Sequence, residues 1–311
     1  MRRLDYLVTD ARLATENEDF SDTVGIDDEE FIRFFNEAQT RIHSLISQQH
    51  SAIFLKDTIT NIVANQESYS LPSDCLLGNK VAQVEYSHDG NTDNYVPLKP
   101  TFLKNRNSNS GEPLNYIRRS GTILLSPVPD TSTGTLRITY IEKPRSLDIR
   151  RGSISSFTDS GTQITAITLN VSTDTVDSTA VGKDNFLCVV DRAGAIQMAD
   201  IEYDSIDAST GVVTLTSNHT YSSGEALAAG DYIVVGKNTS THSELADFVE
   251  RYLLAYVSWK ILKRDSSADY SEQQEELAQL EKEIIDSYAD ISDDIYEIPE
   301  INEDEVWFGK Y

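Results

Sequence analysis

Apolar residues recur every three or four positions at the two ends of the chain and every second position between them. The clearest helical segment runs from Asp27 to about His50. Its apolar side chains fall on one side of a helix, and they are Phe31, Phe34, Phe35, Ala38, Ile42, Leu45 and Ile46. Asp27 and Glu30 form a capping-box pattern in which Asp replaces Ser. A shorter helix is predicted between Leu4 and Leu13.

The middle of the chain has the alternation that is typical of β-strands. Tyr116–Ile117 and Ile123–Leu125 flank Ser120-Gly121, a pattern that predicts a hairpin. A second block, rich in Ser, Thr, Gly and Asp, follows from residue 152, with a turn predicted at Asp207–Gly211. Strands are predicted in this block at Ile164–Val171, Phe186–Val190, Ile196–Tyr203, Val212–Thr216 and Tyr232–Val235.

Helical spacing returns after residue 240. Thr241 and Glu244 form a second capping-box pattern, ahead of a broad apolar face that extends to Ile261. Another helix is predicted from about Ala268 to Ala289. The apolar face is most simply explained as core, but Tyr252, Tyr256 and Trp259 extend it beyond what one neighbouring helix covers. We therefore predict that these three residues also contribute to a subunit interface.

These patterns predict an α+β fold in which both chain ends form one helical bundle that carries β insertions. The predicted parts are a helical bundle (1–52 and 241–290), an antiparallel β domain (53–151), an inserted barrel-like β domain (152–240) and a docking tail (291–311).

Charge limits the functions that fit this fold. The chain has 26 basic and 51 acidic residues, a formal net charge of −25. Because DNA is gripped through Lys and Arg that displace counterions, tight DNA binding is not expected. From Asp265 to Tyr311 there are 16 acidic and 2 basic residues, a net charge of −14. More than half of the net charge is therefore concentrated near the carboxyl end.

The last residues combine this charge with regularly spaced apolar anchors. Solvating tails are poor in aromatic residues, so we expect this tail to order against a partner, by extended-strand or groove docking. The predicted anchors are Ile295, Tyr296, Ile298, Ile301, Val306, Trp307, Phe308 and Tyr311.

No arrangement typical of an enzyme or of a cofactor site is found. The acidic pairs are neighbours on a helix start or in the tail, whereas hydrolytic chemistry needs carboxyl groups that face each other. The five histidines lack metal-ligand or triad spacing. Cys75 and Cys188 give neither a metal site nor a disulfide framework. No signal peptide or membrane span is predicted, so we expect a soluble protein that is made in a cytoplasm.

Three stretches resemble the head-to-tail adaptor family of tailed bacteriophages, the ring proteins between portal and tail. Ile26–Gln39 is similar to the first long helix of that family and includes an Asn-x-Ala-Gln run. Tyr69–Leu76 is similar to the Tyr-x-Leu-Pro-x-Asp start of its β domain. Ile123–Asp130, with Leu136–Tyr140, is similar to its late hairpin. The terminal helix, with Tyr252–Ala255 and Arg264-Asp265, also fits. The block at 152–240 departs from shorter family members.

The resemblance implies a non-enzymatic virion protein that is assembled in the host cytoplasm. It implies a ring of twelve copies between the portal and a tail nozzle or tail tube, with the tail reaching a portal subunit and duplex DNA passing without specific binding. The inserted block would decorate the ring or meet tail fibres. Three alternatives remain: a tail-tube or head-closure ring, a carbohydrate-binding receptor module that uses Tyr203, Tyr221 and Tyr232, and a hydrolase.

Overall fold

The structure is a computed structural model. It describes residues 2–15, 26–78, 80–91, 93–107, 109–172, 185–221, 225–263 and 271–292, with side chains described up to residue 288. Over these residues the chain has an α+β fold with mainly antiparallel strand pairs and a closed barrel, and the predicted fold class is confirmed.

Two compact units divide the chain. The first contains Met1–Ser44 and Pro144–Ile284, and the second contains Leu45–Lys143 with the described residues that follow Ile284. The domain boundaries predicted from the sequence stay a prediction beside these units.

Four α-helices are present in the described part of the chain, two near each end. They are α1 (Leu4–Ala14), α2 (Asp28–Gln49), α3 (Glu250–Leu262) and α4 (Ser271–Ser292). The cap predicted for α2 is confirmed, because an Asp27 side-chain oxygen accepts a hydrogen bond of 2.8 Å from the Glu30 amide. The apolar stripe of α2 is buried as its spacing predicts, with Phe31, Phe35 and Ala38 fully covered.

The capping box predicted at Thr241 is wrong. The Thr241 hydroxyl pairs with the His242 ring at 2.9 Å, and its carbonyl accepts a hydrogen bond of 2.8 Å from the Leu4 amide. The Glu244 carboxylate forms an ion pair of 2.6 Å with Arg145. Because these contacts hold residues 241–244 outside a helix, α3 begins only at Glu250, after a short 3-10 turn.

The second compact unit is a sandwich of two four-stranded sheets. Its strands are β1 (Leu55–Asn61), β2 (Ser68–Ser70), β3 (Val81–Ser87), β4 (Val96–Pro97), β5 (Lys99–Pro100), β6 (Asn115–Arg119), β7 (Thr122–Ser126) and β8 (Thr135–Ile141). One sheet has the order β1-β8-β3-β4 and the other β2-β7-β6-β5. Both contribute to one core, for example through Val84, Ile123 and Ile138. The predicted hairpin is confirmed as β6–β7.

The first unit contains the remaining strands, most of which form the barrel. They are β9 (Ser146–Leu147), β10 (Gly152–Asp159), β11 (Gln163–Leu169), β12 (Phe186–Val190), β13 (Ile196–Ile206), β14 (Val212–Leu215), β15 (His219–Thr220), β16 (Tyr232–Val235) and β17 (Thr239–Ser240). The order β10-β16-β12-β13-β14-β11 closes because β10 also pairs with β11, giving a barrel of six strands. β15 adds to β11, and β17 pairs with β9.

The barrel interior is apolar, and one of its hairpins depends on a glycine. Leu187, Ile201 and Ile233 are fully buried in this core. The predicted turn after β13 is present, and Gly211 there has a φ of +74°. A Cβ at this position would lie 2.4 Å from the Leu169 carbonyl oxygen, so only glycine fits without a shift of the backbone.

Candidate assembly surfaces

An aromatic ladder runs along α3 where this helix faces α2 and α4. The ring centroids of Tyr252 and Tyr256 are 6.0 Å apart, and those of Tyr256 and Trp259 are 5.6 Å apart. The Tyr252 hydroxyl donates a hydrogen bond of 3.0 Å to Glu281 on α4. Arg41 on α2 donates to the same carboxylate at 2.7 Å. These contacts join three helices of the first compact unit.

The three residues predicted for a subunit interface differ in exposure. Tyr252 is fully buried and Tyr256 is nearly so, whereas Trp259 is partly exposed. Burial, together with the charge of Glu281, raises the pKa of Tyr252. Tyr256 and Trp259 line a cavity of about 210 Å³ together with side chains of α2 and α4. Within the described chain, the Trp259 Nε1 atom finds no hydrogen-bond acceptor. The interface role of the three residues stays a prediction.

Carboxylates cover one side of α4. At about 100° per residue, positions 272, 275, 276, 283 and 286 fall on the same side of the helix, and they are occupied by Glu272, Glu275, Glu276, Glu283 and Asp286. All five are exposed. The opposite side buries Leu277, Leu280 and Ile284. We call the five carboxylates the acidic face of α4.

The residues that carry the family resemblance have structural roles. In the Asn-x-Ala-Gln run, Asn36 exchanges hydrogen bonds of 2.8 and 2.9 Å with the Leu147 backbone. Gln39 donates one of 2.5 Å to the Arg145 carbonyl. In the Tyr-x-Leu-Pro-x-Asp stretch, Tyr69 is buried and Asp74 accepts hydrogen bonds from Tyr140 and Lys56. The first motif therefore ties α2 to the chain that leads into the barrel, and the second ties together parts of the sandwich.

A buried ion pair strengthens the attachment of the barrel to the helices. The Arg151 guanidinium is 2.6 Å from Asp148 and 2.7 Å from Glu29 of α2. Asp148 also accepts a hydrogen bond of 2.9 Å from the Val235 amide in β16. Burial alone would lower the pKa of Arg151, but its hydrogen bonds and the charges of Asp148 and Glu29 raise that pKa instead. Sequence reasoning missed this network, because nothing in the local pattern marks Arg151 as buried.

The predicted tail anchors lie outside the described residues. These are Ile295, Tyr296, Ile298, Ile301, Val306, Trp307, Phe308 and Tyr311. Their role as a portal- or partner-binding segment therefore stays a prediction.

The tyrosines of the carbohydrate alternative do not form a shared platform. Tyr203 is buried in the barrel core. Tyr221 donates a hydrogen bond of 3.2 Å to Asp159. The Tyr232 ring lies beneath the guanidinium groups of Arg3 and Arg150, at 5.2 and 5.6 Å from its centroid.

The described part of the chain contains neither a metal-binding cluster nor a membrane-spanning helix. Among the residues that the structure describes, no three His, Cys, Asp or Glu side chains gather into a group suited to a metal ion. None of the described helices combines the length and hydropathy needed to cross a bilayer. The Asp207 carboxylate is engaged in its own turn, where hydrogen bonds from Ser209 and Thr210 lower its pKa to about 2.

Comparison with known proteins gave one family. The family model described as SU10 adaptor protein matches residues 4–177, which is more than half of the chain. The matched part begins with α1, covers α2 and the sandwich, and extends into the barrel strands β10 and β11. No curated protein matched the chain.

Proposed function

The chain belongs to the SU10 adaptor protein family, whose members are structural adaptors of phages, and from this premise we propose the finer function. The protein forms a ring that joins the portal to the tail and surrounds part of the DNA channel. The ring contains about twelve copies, as the resemblance of its motifs to head-to-tail adaptors implies. The observation that carries this proposal is the family match across α1, α2 and the sandwich.

Charge supports a channel that does not retain DNA. A duplex must move through the ring during packaging and ejection, and a surface that binds phosphate would slow it. The net charge of −25 agrees with this requirement. The proposal has two versions. In one, the acidic residues near the carboxyl end line the channel, and in the other they contact a basic surface of the portal. In both versions DNA passes without specific binding.

The tail at 291–311 is proposed as the segment that reaches the portal subunit. Its apolar anchors would be covered by the partner, and its carboxylates would meet basic side chains. A chain that ends at residue 290 is expected to keep the circular dichroism and melting behaviour of the full chain but to lose binding to the portal. Normal incorporation of the shortened chain into particles would contradict the role of the tail.

Electron microscopy of the purified protein mixed with its portal tests the ring itself. The expected image is a ring of adaptor density beneath the portal, continuous with its channel. Copurification of a tail tube or closure protein, with no affinity for the portal, would favour the alternative of a tail-tube or head-closure ring. A protein that stays monomeric and binds no virion component would contradict the proposal.

A further inference from the structure

The sandwich is far less acidic than the rest of the chain. Leu45–Lys143 contains 9 basic and 9 acidic residues, so its net charge is zero, although the whole chain carries −25. The excess negative charge therefore lies entirely outside this segment. Such a division gives one chain two surfaces that can attract each other between copies.

Basic side chains on one part of the sandwich lack acidic partners. Lys99, Lys104, Arg118 and Arg119 are all exposed, and none of them forms an ion pair with any described residue. Arg106 and Arg137, by contrast, are paired with Glu67 and Glu85. The first four are the cations of this surface that remain available to an acidic partner.

Large apolar side chains are exposed beside these cations. Val96, Phe102, Leu103 and Leu114 have exposed fractions of 62, 73, 54 and 63%. Their proximity follows from the backbone, because the Lys99 amide donates to the Leu114 carbonyl at 3.2 Å. Val96 and Leu114 also line a common groove of about 220 Å³. Several large apolar side chains exposed on one stretch of chain and its neighbouring strand are typical of an interaction site in soluble proteins.

The edges of both sheets meet in the same place. The segment from Val96 to Pro100 supplies β4, the last strand of one sheet, and β5, the last strand of the other. Unpaired edges invite contact with another chain unless they are covered. We define the basic–apolar strip as Val96, Lys99, Phe102, Leu103, Lys104, Leu114, Arg118 and Arg119.

We infer that the basic–apolar strip of one copy binds the acidic face of α4 of the next copy, which rests on the proposed ring. A ring of identical subunits needs two different, complementary patches on each subunit, so that every contact repeats head to tail. The strip supplies positive charge and apolar surface. The acidic face supplies five carboxylates spread over 15 residues, which is roughly 21 Å of helix, and one of them, Glu276, also pairs with Arg251 at 2.7 Å.

A protein partner fits the strip better than a duplex does. Phosphate contacts are made by Lys, Arg and other polar groups. Binding to a duplex therefore does not explain why four large apolar side chains are exposed among the cations. A neighbouring subunit removes that apolar surface from water and neutralises the charges in one contact. The residual excess of negative charge on each copy also repels the DNA backbone.

Charge reversal and rescue test the pairing. The variant Lys104→Glu/Arg118→Glu is expected to enter portal-bound rings about tenfold less than the unmodified chain, because two attractive contacts become repulsive. The control Lys80→Glu/Lys143→Glu makes the same change in net charge at exposed positions of the sandwich outside the strip. Adding Glu272→Lys/Glu275→Lys to the strip variant should restore incorporation, since the sign of each partner is then exchanged.

Cross-linking locates the contact directly. Both native cysteines are buried, so Leu103→Cys/Glu275→Cys introduces the reactive pair. Oxidation of assembled rings should give a ladder of linked oligomers, whereas Ala208→Cys/Glu275→Cys, with its first cysteine on a barrel turn, should give none. The absence of a ladder, an equal ladder in the control, or linkage only within single chains would overturn the inference.

The same material separates the other occupants of the strip. If the strip variant forms normal rings that no longer bind the portal, the strip is a portal contact. If the variant differs only in weaker binding to duplex DNA, the strip is a DNA contact. Either result overturns the pairing between copies while leaving the adaptor ring intact. If the unmodified chain forms no ring with the portal, the proposed function fails first, and the two failures are thus distinguishable.

Discussion

The barrel and the sandwich differ in how their sheets end. In the barrel, β10 to β14 and β16 close into a ring in which each strand has a neighbour on both sides. Among the described residues of 144–240, no large apolar side chain is more than half exposed. Both sheets of the sandwich are open, and Leu77, Val96, Phe102 and Leu114 are mostly exposed there.

This difference suggests where other chains bind. A closed sheet satisfies its own backbone groups and covers its own apolar residues. In an open sandwich, the backbone groups of the edge strands and the exposed apolar side chains are covered only when another chain binds there. The barrel then needs only a firm attachment to the helices, which the Arg151 network provides, and the sandwich keeps a surface for assembly. The following predictions test this division, beginning with the largest expected effect.

Replacing Arg151 with Met should have the largest effect. It leaves Asp148 buried without its cation, and breaking a buried pair lowers the free energy of unfolding by about 3–5 kcal/mol. Lys56→Met in the sandwich should cost less than about 1 kcal/mol, because Lys56 is exposed and its partners, Asp74 and Glu142, remain partly exposed to water. Hydrogen exchange resolved by peptide measures the two regions separately.

The matched variant Asp148→Leu/Arg151→Met removes both buried charges together. It should recover most of the stability that Arg151→Met loses, because neither deeply buried charge remains and Glu29, the other partner of Arg151, is 31% exposed. If Arg151→Met and Lys56→Met lowered the free energy of unfolding equally, burial would not distinguish the two ion-pair networks. The proposed difference between barrel and sandwich would then be contradicted.

Leu187→Ala tests the barrel core itself. The side chain is fully buried between β13 and β16, and a cavity at such a site costs about 2–5 kcal/mol. Leu187→Ile keeps the volume and should cost less than about 1.5 kcal/mol. Denaturant unfolding followed by exchange in the β10–β16 peptides measures both. A loss below 1 kcal/mol in Leu187→Ala, by this volume argument, would mean that the barrel is loosely packed.

Much of the fold could be predicted because it depends on local patterns. The periodicity of α2, the hairpin at Ser120-Gly121 and the strand Phe186–Val190 all agree with the structure. Closure of the barrel depends on the pairing of β10 with both β11 and β16. The second of these pairs joins residues about eighty positions apart, and strand alternation carries no information on such partners.

The surfaces were harder to predict than the elements. Periodicity identified the ladder of Tyr252, Tyr256 and Trp259, but only the packing of α2 and α4 determines which ring remains exposed. The strip was missed because Phe102 and Leu103 follow no strand or helix period, and their exposure results from the two sheet edges that meet beside them. An interruption of the alternation by Pro97 and Pro100 is the signal that could have indicated an edge.

Acid should destabilise the unit that contains the barrel through a buried histidine. His43 on α2 is 2% exposed, and burial lowers its pKa to about 4. Above pH ~6.5 the ring is neutral in both states and has no effect. As the pH falls from about 6.5 to about 4, the unfolded chain takes up a proton that the folded chain excludes, so stability falls by up to about 3 kcal/mol.

The variant His43→Gln isolates this contribution. Its free energy of unfolding should depend less on pH between 4 and 6.5 than that of the unmodified chain, whatever its stability at neutral pH. His242, whose pKa is also lowered by burial, will leave some of the dependence in place. Denaturant titrations at several pH values measure the slope, and an unchanged slope would contradict the assignment to His43.

Phe102→Ser should have the smallest effect on stability and still alter assembly. The ring is 73% exposed, so its loss should change the free energy of unfolding by no more than about 0.5 kcal/mol. If the strip is covered in the ring, the same change removes apolar contact area and weakens incorporation into portal-bound rings. Thermal melts and particle incorporation measure the two properties on one sample. A variant that melts normally and also assembles normally would contradict a role of Phe102 as an anchor of the assembly surface, because large aromatic side chains dominate the energetics of the interfaces that bury them.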